Sequence, residues 1–435
     1  MDPNTRQADS AEVPVMADRS WTIPPANGLG TVHCDPETKE QGPMKVICDR
    51  GALQDAVNLV SGAVAGRTPR VQLTCVKVAA ERRDGVGELV LSATDAEISM
   101  RVRVSQVDVQ QPGETLIPAD KLRAIVGAED ADPTLTLDAE AEVCHIRGTD
   151  AHFKIFGFPP EDFPPIPDFA DVVAGTAQIP KSRGFFSYRA GALDTLVART
   201  LFATARENSR YAINGVLLKR EGKRIEMVAT DGRRMALSRA AIPSTDKEAK
   251  GVSCIIPTKA LAQLQKLYRD PDEVVQVAVT DTQVYFSLGS EKDPHRAVLS
   301  SNLVEGAFPP YEDVIPKDQD KKVVFDRDAM ASAVRRAALL TNEESRGVRL
   351  RFNGKQRQLE LTSRAPEMGE AQVTVELNSY EGDDIEIGFN PAFIIDVLKV
   401  ISEQEVVMEL KSPNKPGVIK VGSDFLYVVM PVNLQ

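Results

Sequence analysis

Val46-Ile47-Cys48-Asp49-Arg50-Gly51-Ala52-Leu53-Gln54-Asp55-Ala56-Val57 opens a unit that returns twice along the chain. Its second copy is Phe186-Ser187-Tyr188-Arg189-Ala190-Gly191-Ala192-Leu193-Asp194-Thr195-Leu196-Val197. The third is Val324-Phe325-Asp326-Arg327-Asp328-Ala329-Met330-Ala331-Ser332-Ala333-Val334. Each reads as a short strand running into a helix whose apolar residues recur at helical spacing. Three copies about 140 residues apart describe an architecture built by repetition, in which function resides in the assembled shape.

Each third divides again. Its second half opens with a strand-like run that meets proline, then another amphipathic helix: Leu116-Ile117-Pro118-Ala119, Ile255-Ile256-Pro257-Thr258, and Phe389-Asn390-Pro391-Ala392. Proline is at home in a first helical turn, where its missing N–H costs nothing. Alternating strands lie between the helices, at Glu88–Asp95, Arg224–Asp231 and Gln358–Ser363. One helix among antiparallel strands therefore occurs six times, which predicts an α+β protein of three domains with two such half-units each. The Pro-rich runs Phe163-Pro164-Pro165-Ile166-Pro167 and Phe308-Pro309-Pro310-Tyr311 close the first two thirds. The expected domains are 44–175, 183–316 and 322–435.

Residues 1–43 hold six prolines, many small polar residues and little periodicity, the pattern of a disordered extension. Met44-Lys45-Val46-Ile47 resembles a natural start, so a mis-assigned initiation codon and a genuine extension both stay open.

With 435 residues, 42% of them hydrophobic and 26% charged, the chain has the composition of a soluble globular protein. No apolar run is long enough for a transmembrane helix, and the amino terminus lacks the order of a secretory signal. Five cysteines without a CxxC pair fit buried, reduced thiols. There is no P-loop, GxSxG, HExxH or Cys/His metal spacing, and the four histidines (33, 145, 152, 295) are scattered. No catalytic residue, metal or cofactor is expected. An enzyme is the first rival reading, and it finds no chemistry-bearing constellation.

Charge is unevenly distributed. The six expected helices (50–64, 118–128, 189–206, 257–269, 327–340 and 391–402) carry thirteen basic and five acidic residues, a net +8 inside a chain of −11. If they share a face, an acidic protein presents a basic surface to a polyanion. Lys and Arg are also good helix formers with solvated heads; the sixfold repetition favours DNA.

The chain resembles the bacterial DNA polymerase III beta subunit family, the replicative sliding clamps. The resemblance rests on Arg210-Tyr211-Ala212-Ile213-Asn214-Gly215-Val216-Leu217, Val228-Ala229-Thr230-Asp231-Gly232-Arg233-Arg234-Met235-Ala236, Gly306-Ala307-Phe308-Pro309-Pro310-Tyr311, Asn342–Leu350 and Tyr427-Val428-Val429-Met430-Pro431. It runs over residues 44–434 with the motifs in order. It implies a non-catalytic, head-to-tail homodimer with no exonuclease activity. Its three domains per chain would close a ring, with helices lining the hole and sheets outside, around duplex DNA of any sequence. The resemblance also implies a cytoplasmic, nucleoid-associated protein. Its partners would be the polymerase III catalytic subunit, clamp-loader subunits, other polymerases and repair proteins, all docking through short peptide motifs.

Arg67 matches a DNA-contacting loop position of the family and Arg206 falls in the corresponding loop of domain 2; the helix cations Arg199, Lys259, Lys266, Arg335 and Arg336 join them as expected DNA contacts. The peptide pocket has Ile213, Met235, Pro309, Val314, Val428 and Met430 as its apolar wall. Thr230, Gly232, Arg233, Arg234, Val429 and Pro431 form its rim or floor. Val429 also reads as junction packing, and Thr230-Asp231-Gly232 as a strand-ending turn. Phe153 and Ile155 would meet Leu339 and Leu340 of the other copy. The chain departs from some relatives at Ser345, at Asp313 (Arg elsewhere) and in its Val432-Asn433-Leu434-Gln435 ending. The second rival reading is a divergent paralogue that binds peptides as a scaffold without encircling DNA.

Overall fold

The computed structural model describes residues 43–433, apart from 84, 130–131, 206–210, 243–250, 291–292, 342–346 and 367. The expected extension, Arg206 and Ser345 lie outside the described residues.

Domain 1 runs β1 (Met44–Asp49), α1 (Arg50–Val60), β2 (Cys75–Arg83), β3 (Val86–Thr94), β4 (Ile98–Val104), β5 (Val107–Gln111), β6 (Gly113–Pro118), α2 (Ala119–Ala128), β7 (Thr134–Glu140), β8 (Val143–Arg147) and β9 (His152–Phe156). A short helix α3 (Phe169–Ala174) follows. Domain 2 runs β10 (Gly184–Arg189), α4 (Ala190–Leu201), β11 (Gly215–Glu221), β12 (Arg224–Thr230), β13 (Arg234–Ala241), β14 (Val252–Pro257), α5 (Thr258–Leu267), β15 (Val274–Val279), β16 (Gln283–Ser290) and β17 (Asp293–Asn302). Domain 3 runs β18 (Lys321–Asp326), α6 (Arg327–Ala337), β19 (Val348–Asn353), β20 (Gln358–Ala365), β21 (Gly369–Glu376), β22 (Ser379–Glu381), β23 (Ile385–Phe389), α7 (Pro391–Val400), β24 (Glu405–Leu410), β25 (Gly417–Val421) and β26 (Phe425–Val429).

Every repeat starts its helix directly off a strand. Asp49 and Asp326 sit at equivalent N-caps, and each carboxylate accepts the backbone N–H three residues on, from Ala52 and Ala329, at 2.8 Å. Domain 2 has Arg189 at this place and no side-chain cap. Burial pattern decides which helix face turns inward: Leu53, Ala56, Val57 and Val60 of α1, and Leu193, Leu196 and Val197 of α4, are buried. α2 ends at Ala128 as the sequence pattern predicts, whereas the other five expected helices end two to five residues earlier. α1 and α6 tighten into 3-10 turns at Ser61–Ala63 and Ala338–Leu340. The prolines also differ from expectation. Pro391 is in the first turn, but Pro118 and Pro257 end their strands and occupy the N-cap itself.

The sheets ignore the domain boundaries. One eight-stranded sheet has the order β10-β15-β16-β17-β4-β3-β2-β6, joining domain 2 to domain 1 through β17 and β4. A nine-stranded sheet, β14-β11-β12-β13-β26-β25-β24-β18-β22, joins domain 2 to domain 3 through β13 and β26. Both junctions are antiparallel, with Leu299 opposite Met100 and Tyr427 opposite Ala236. Two part-sheets remain: β5-β1-β7-β8-β9 and β21-β20-β19-β23. Their outer strands β9 and β21 are edges.

Six helices pack in a row over these sheets, in the order α2, α1, α5, α4, α7, α6. One apolar core runs beneath all three domains. The seventh helix, α3, was not foreseen. Phe169 and Val172 bury themselves on Ala278, Tyr285 and Val298, on the sheet face away from the main core.

Because the two aspartate caps are the only side-chain acceptors at their helix starts, Asp49→Ala and Asp326→Ala should each lower stability by about 1 kcal/mol in urea unfolding. Aspartate-to-asparagine changes at the same sites should leave it nearly unaltered.

Candidate functional site

Three surfaces follow from this arrangement: the helix row, the junction of domains 2 and 3, and the two free sheet edges.

On the helix row Lys121, Arg123, Lys266, Arg335, Arg336 and Lys399 are exposed. Arg67, in the bend that follows α1, is exposed as well. Arg199 differs from expectation. It is only 9% exposed, donates to both Glu403 oxygens at 2.8 and 3.1 Å, and lies 5.4 Å from the Phe425 ring centroid. Its position on the inward face of α4 makes it an internal tie between domains 2 and 3 rather than a DNA contact. Lys259, half exposed at the start of α5, ion-pairs with Asp95 of domain 1. Its charge too is compensated within the protein. Asp95 in turn accepts the backbone N–H groups of Glu97 and Ile98. Although burial pulls its carboxyl upward, the Lys259 and backbone hydrogen bonds hold it below the usual range.

At the second junction β13 and β26 pair with Arg234 opposite Val429 and Met235 opposite Val428. The backbone N–H of Met430 donates to Arg233 O at 2.9 Å. Across them lies the strap between domains, with a 3-10 turn at Tyr311–Val314. The apolar floor contains Met235, Val428 and Tyr311 with Leu217, Val228 and Leu237. Ile213 is buried just beside it, whereas Val314 (51%), Met430 (39%) and Tyr211 (47%) are exposed apolar side chains. Pro309 and Pro431 are half-buried, Arg233 and Gly232 are exposed, and Val429 is fully buried. Val429 thus belongs to junction packing.

Thr230, Asp231 and Gly232 form the turn that ends β12. Gly232 has φ +82 and donates its N–H to Thr230 Oγ1 at 3.1 Å, so the turn needs glycine's freedom there. Asp231 accepts the backbone N–H groups of Arg233 and Arg234. Arg234 is no rim cation. Its fork reaches Asp231 at 3.0 Å, Asp396 of α7 at 2.9 Å and Phe202 O at 2.8 Å. It also stacks 4.5 Å from the Phe393 centroid. The sequence reading did not assign Tyr211 or Tyr311. An aromatic beside the assigned Ile213, and another beside the assigned Pro309, were the available signals. Tyr311 donates its hydroxyl to Glu226, which also accepts from Arg239 at 2.6 Å. Burial raises the Glu226 carboxyl, but these hydrogen bonds outweigh it and hold the group ionised below its ordinary range.

A cavity of about 1230 Å³ lies next to this apolar wall and is distinct from it. It lies against the strap's other residues, between β14, β11 and the tip of the β3–β4 hairpin, and shares Leu217, Pro309 and Tyr311 with the wall and its floor.

At the free edges, Phe153 packs partly on the domain 1 core and Ile155 is 7% exposed within it. What Ile155 offers a neighbour is therefore the backbone of β9. Phe156 is 69% exposed with Lys154 Nζ 5.2 Å above its ring. His145 Nδ1 and His152 Nε2 lie 2.9 Å apart on the outer face. Beside β21, Leu339 is 72% exposed, and a Cβ placed on Gly369 would stand 3.7 Å from Leu340 Cδ1. Among the described residues the closest approach to a metal-ligand set is Glu129, Asp132 and Asp150, where Asp132 is already engaged by the Thr149 backbone and hydroxyl.

Repeated half-sheets joined into continuous cross-domain sheets, backed by one helix row, define a clamp-type fold. The three family models of the DNA polymerase III beta subunit match in order: the N-terminal domain at 44–167, the central domain at 189–310 and the C-terminal domain at 312–433. The beta sliding clamp of Pseudomonas aeruginosa is 32% identical over 396 residues, covering 90% of this chain and 100% of that protein. That of Escherichia coli K12 is 30% identical over 395 residues, with the same coverage. A crystal structure of the P. aeruginosa clamp bound to griselimycin superposes with a TM-score of 0.79 at 32% identity, covering 90% of this chain and all of that one. A Bartonella birtlesii clamp, also bound to griselimycin, gives 0.79 at 29% identity with the same coverage. The chain belongs to the DNA polymerase III beta subunit family, the beta sliding clamps.

Arg234 spans two domains through one fixed fork, which lysine cannot reproduce. Arg234→Lys should lower thermal stability by about 2 kcal/mol, and Arg234→Ala by about 3 kcal/mol or more, because Asp396 and Asp231 are left without their partner. Differential scanning calorimetry reads both.

Proposed function

We propose that two copies close head to tail into a ring that encircles duplex DNA and tethers a replicative polymerase, conferring processivity. The observation that carries this reading is the identity of the two free edges. β17 of domain 2 pairs with β4 of domain 1, and β26 of domain 3 pairs with β13 of domain 2. Their equivalents in the remaining domains are β9 and β21, each of which is paired on one side only. A second copy supplies each with its missing partner, making a nine-stranded sheet from the five- and four-stranded parts.

The repeats also give the register. Transferring the pairings Tyr427–Ala236 and Leu299–Met100 sets Phe153 opposite Ala371, Lys154 opposite Glu370, and Ile155 opposite Gly369. A basic residue then faces an acidic one across the seam, with Leu339 and Leu340 beside it. A ring of this kind holds the helix row toward its hole, where exposed Arg67, Lys266, Arg335 and Arg336 attract phosphates without reading bases. Sequence-independent contacts of that sort permit sliding.

The wall of Met235, Val428, Val314 and Met430 takes short partner segments with a glutamine and an apolar or aromatic end. Griselimycin, bound by two related clamps, is consistent with a groove of this class. The partners are the polymerase III catalytic subunit, clamp-loader subunits and other polymerases and repair proteins. The protein performs no chemistry itself and works in the bacterial cytoplasm. Among the described residues no helix is long and apolar enough to cross a membrane.

The decisive experiment is retention on nicked circular DNA after loading by the cognate clamp loader, repeated after linearisation. Retention lost on linearisation supports a ring; equal retention on both forms means surface binding, and none on either favours the scaffold. Arg335→Glu with Arg336→Glu should reduce retention about tenfold at moderate salt without changing the dimer. In sedimentation, Leu339→Asp with Leu340→Asp should yield monomers. Lys154→Glu and Glu370→Lys should each weaken the dimer about threefold to tenfold, and the double exchange should recover most of the loss. Two single variants without effect would refute the register.

A further inference from the structure

The cavity on the far side of the strap has an uneven charge balance. Three basic residues line it, and each is compensated inside the chain: Arg183 by Asp281, Lys219 by Glu221, and Lys259 by Asp95. Four further acids line it, Glu97, Glu305, Glu312 and Asp313. All four are exposed, and among the described residues none has an ion-pair partner within 4.0 Å. The same cleft has an apolar floor that includes Leu217, Ile255, Leu303 and Phe308.

Its position couples it to the docking wall. Leu217, Pro309 and Tyr311 belong to both, and Asp313 immediately precedes Val314, whose exposed side chain forms the wall's outer end. The two surfaces are thus contiguous, and a segment anchored on Met235, Val428 and Val314 can continue over the strap into the acidic cleft. A cavity of about 1230 Å³ has room for several side chains. Uncompensated carboxylates above an apolar floor select long side chains with an apolar stem and a positive head, as lysine and arginine have. Duplex DNA is repelled by the same charges.

We propose that this cleft is a second recognition site for partner proteins, receiving basic residues that flank the docking motif. The inference rests on the docking reading of the wall and names the partner chemistry that this clamp selects: an apolar-ended segment with an adjoining Lys/Arg run. Glu305, Glu312 and Asp313 are the specificity-determining residues.

The test uses the full-length dimer and fluorescence anisotropy with synthetic peptides. One docking core, a glutamine with a Leu-Phe end, carries three lysines, three serines or three glutamates, each tail tried at either terminus. Near 0.1 M salt, one lysine-tailed form should bind about tenfold tighter than its serine counterpart, and the glutamate form more weakly. The combined variant Glu305→Gln, Glu312→Gln, Asp313→Asn should cut the lysine advantage to about twofold or less while serine-tailed binding stays unchanged. These near-isosteric changes are on exposed side chains, and a matching melting curve checks the fold. Equal binding of lysine and serine tails, or an advantage that survives in the variant, overturns the proposal. The docking reading fails separately: the serine-tailed peptide would then bind neither wild type nor variant, or would bind Met430→Asp as well as wild type.

Discussion

The backbone hydrogen-bond ladder that crosses each domain boundary is the constraint on which the rest depends. A strand edge left open costs its N–H and C=O partners and invites foreign strands. Here β17 closes on β4 and β26 closes on β13, so three domains share two sheets and cannot rotate freely against each other. The side-chain ties follow the same boundaries. Arg199 with Glu403 and Arg234 with Asp396 brace domains 2 and 3, and Lys259 with Asp95 braces domains 1 and 2. These ties are partly buried, where charged hydrogen bonds are screened less than at an open surface. The helix row inherits its regularity from the sheets beneath it.

Much of this was legible in the sequence because it was written three times. A single strand-helix run of twelve residues is ambiguous, but its recurrence at equal intervals gives the module, the domain number and the helix positions at once. Residues that the resemblance assigned to a peptide pocket lie together at one junction, with Met235 opposite Val428 and both over one apolar cluster; their docking role is a proposal. What escaped were features set by distant residues. Arg199 reads as a helix cation like Lys266, and only Glu403, some 204 positions away, turns it inward. Arg234 likewise reads as a rim charge until Asp396 and Phe393 are placed beside it. α3 is a half-buried turn of a linker, too short for periodicity to reveal. The acidic cleft was invisible because Glu97, Asp281 and Glu305 come to one end of a sheet only when β17 of domain 2 pairs with β4 of domain 1.

The strap from domain 2 to domain 3 has two jobs. Its Tyr311 anchors it through Glu226 to the sheet, and its Pro309 and Val314 form one side of the docking wall. A segment docked there as proposed would touch both domains and the connection between them. The wall's inner members are buried, while Val314, Met430 and Tyr211 remain exposed. That combination gives a packed floor with an open lip.

The covalent strap also sets a hierarchy among joints. Where the chain itself links two domains, the ladder re-forms at the effective concentration of a short tether, in the millimolar range. An otherwise identical ladder between separate chains has no such tether and obeys mass action. Of the joints in a circle built from two such chains, the internal ones behave as permanent welds and the two intermolecular ones as latches. Dilution, or a protein that pries at one edge strand, acts on a latch first. The repeat that makes all the joints alike in shape leaves them unlike in lifetime, and that difference lets a closed object be threaded without being unfolded.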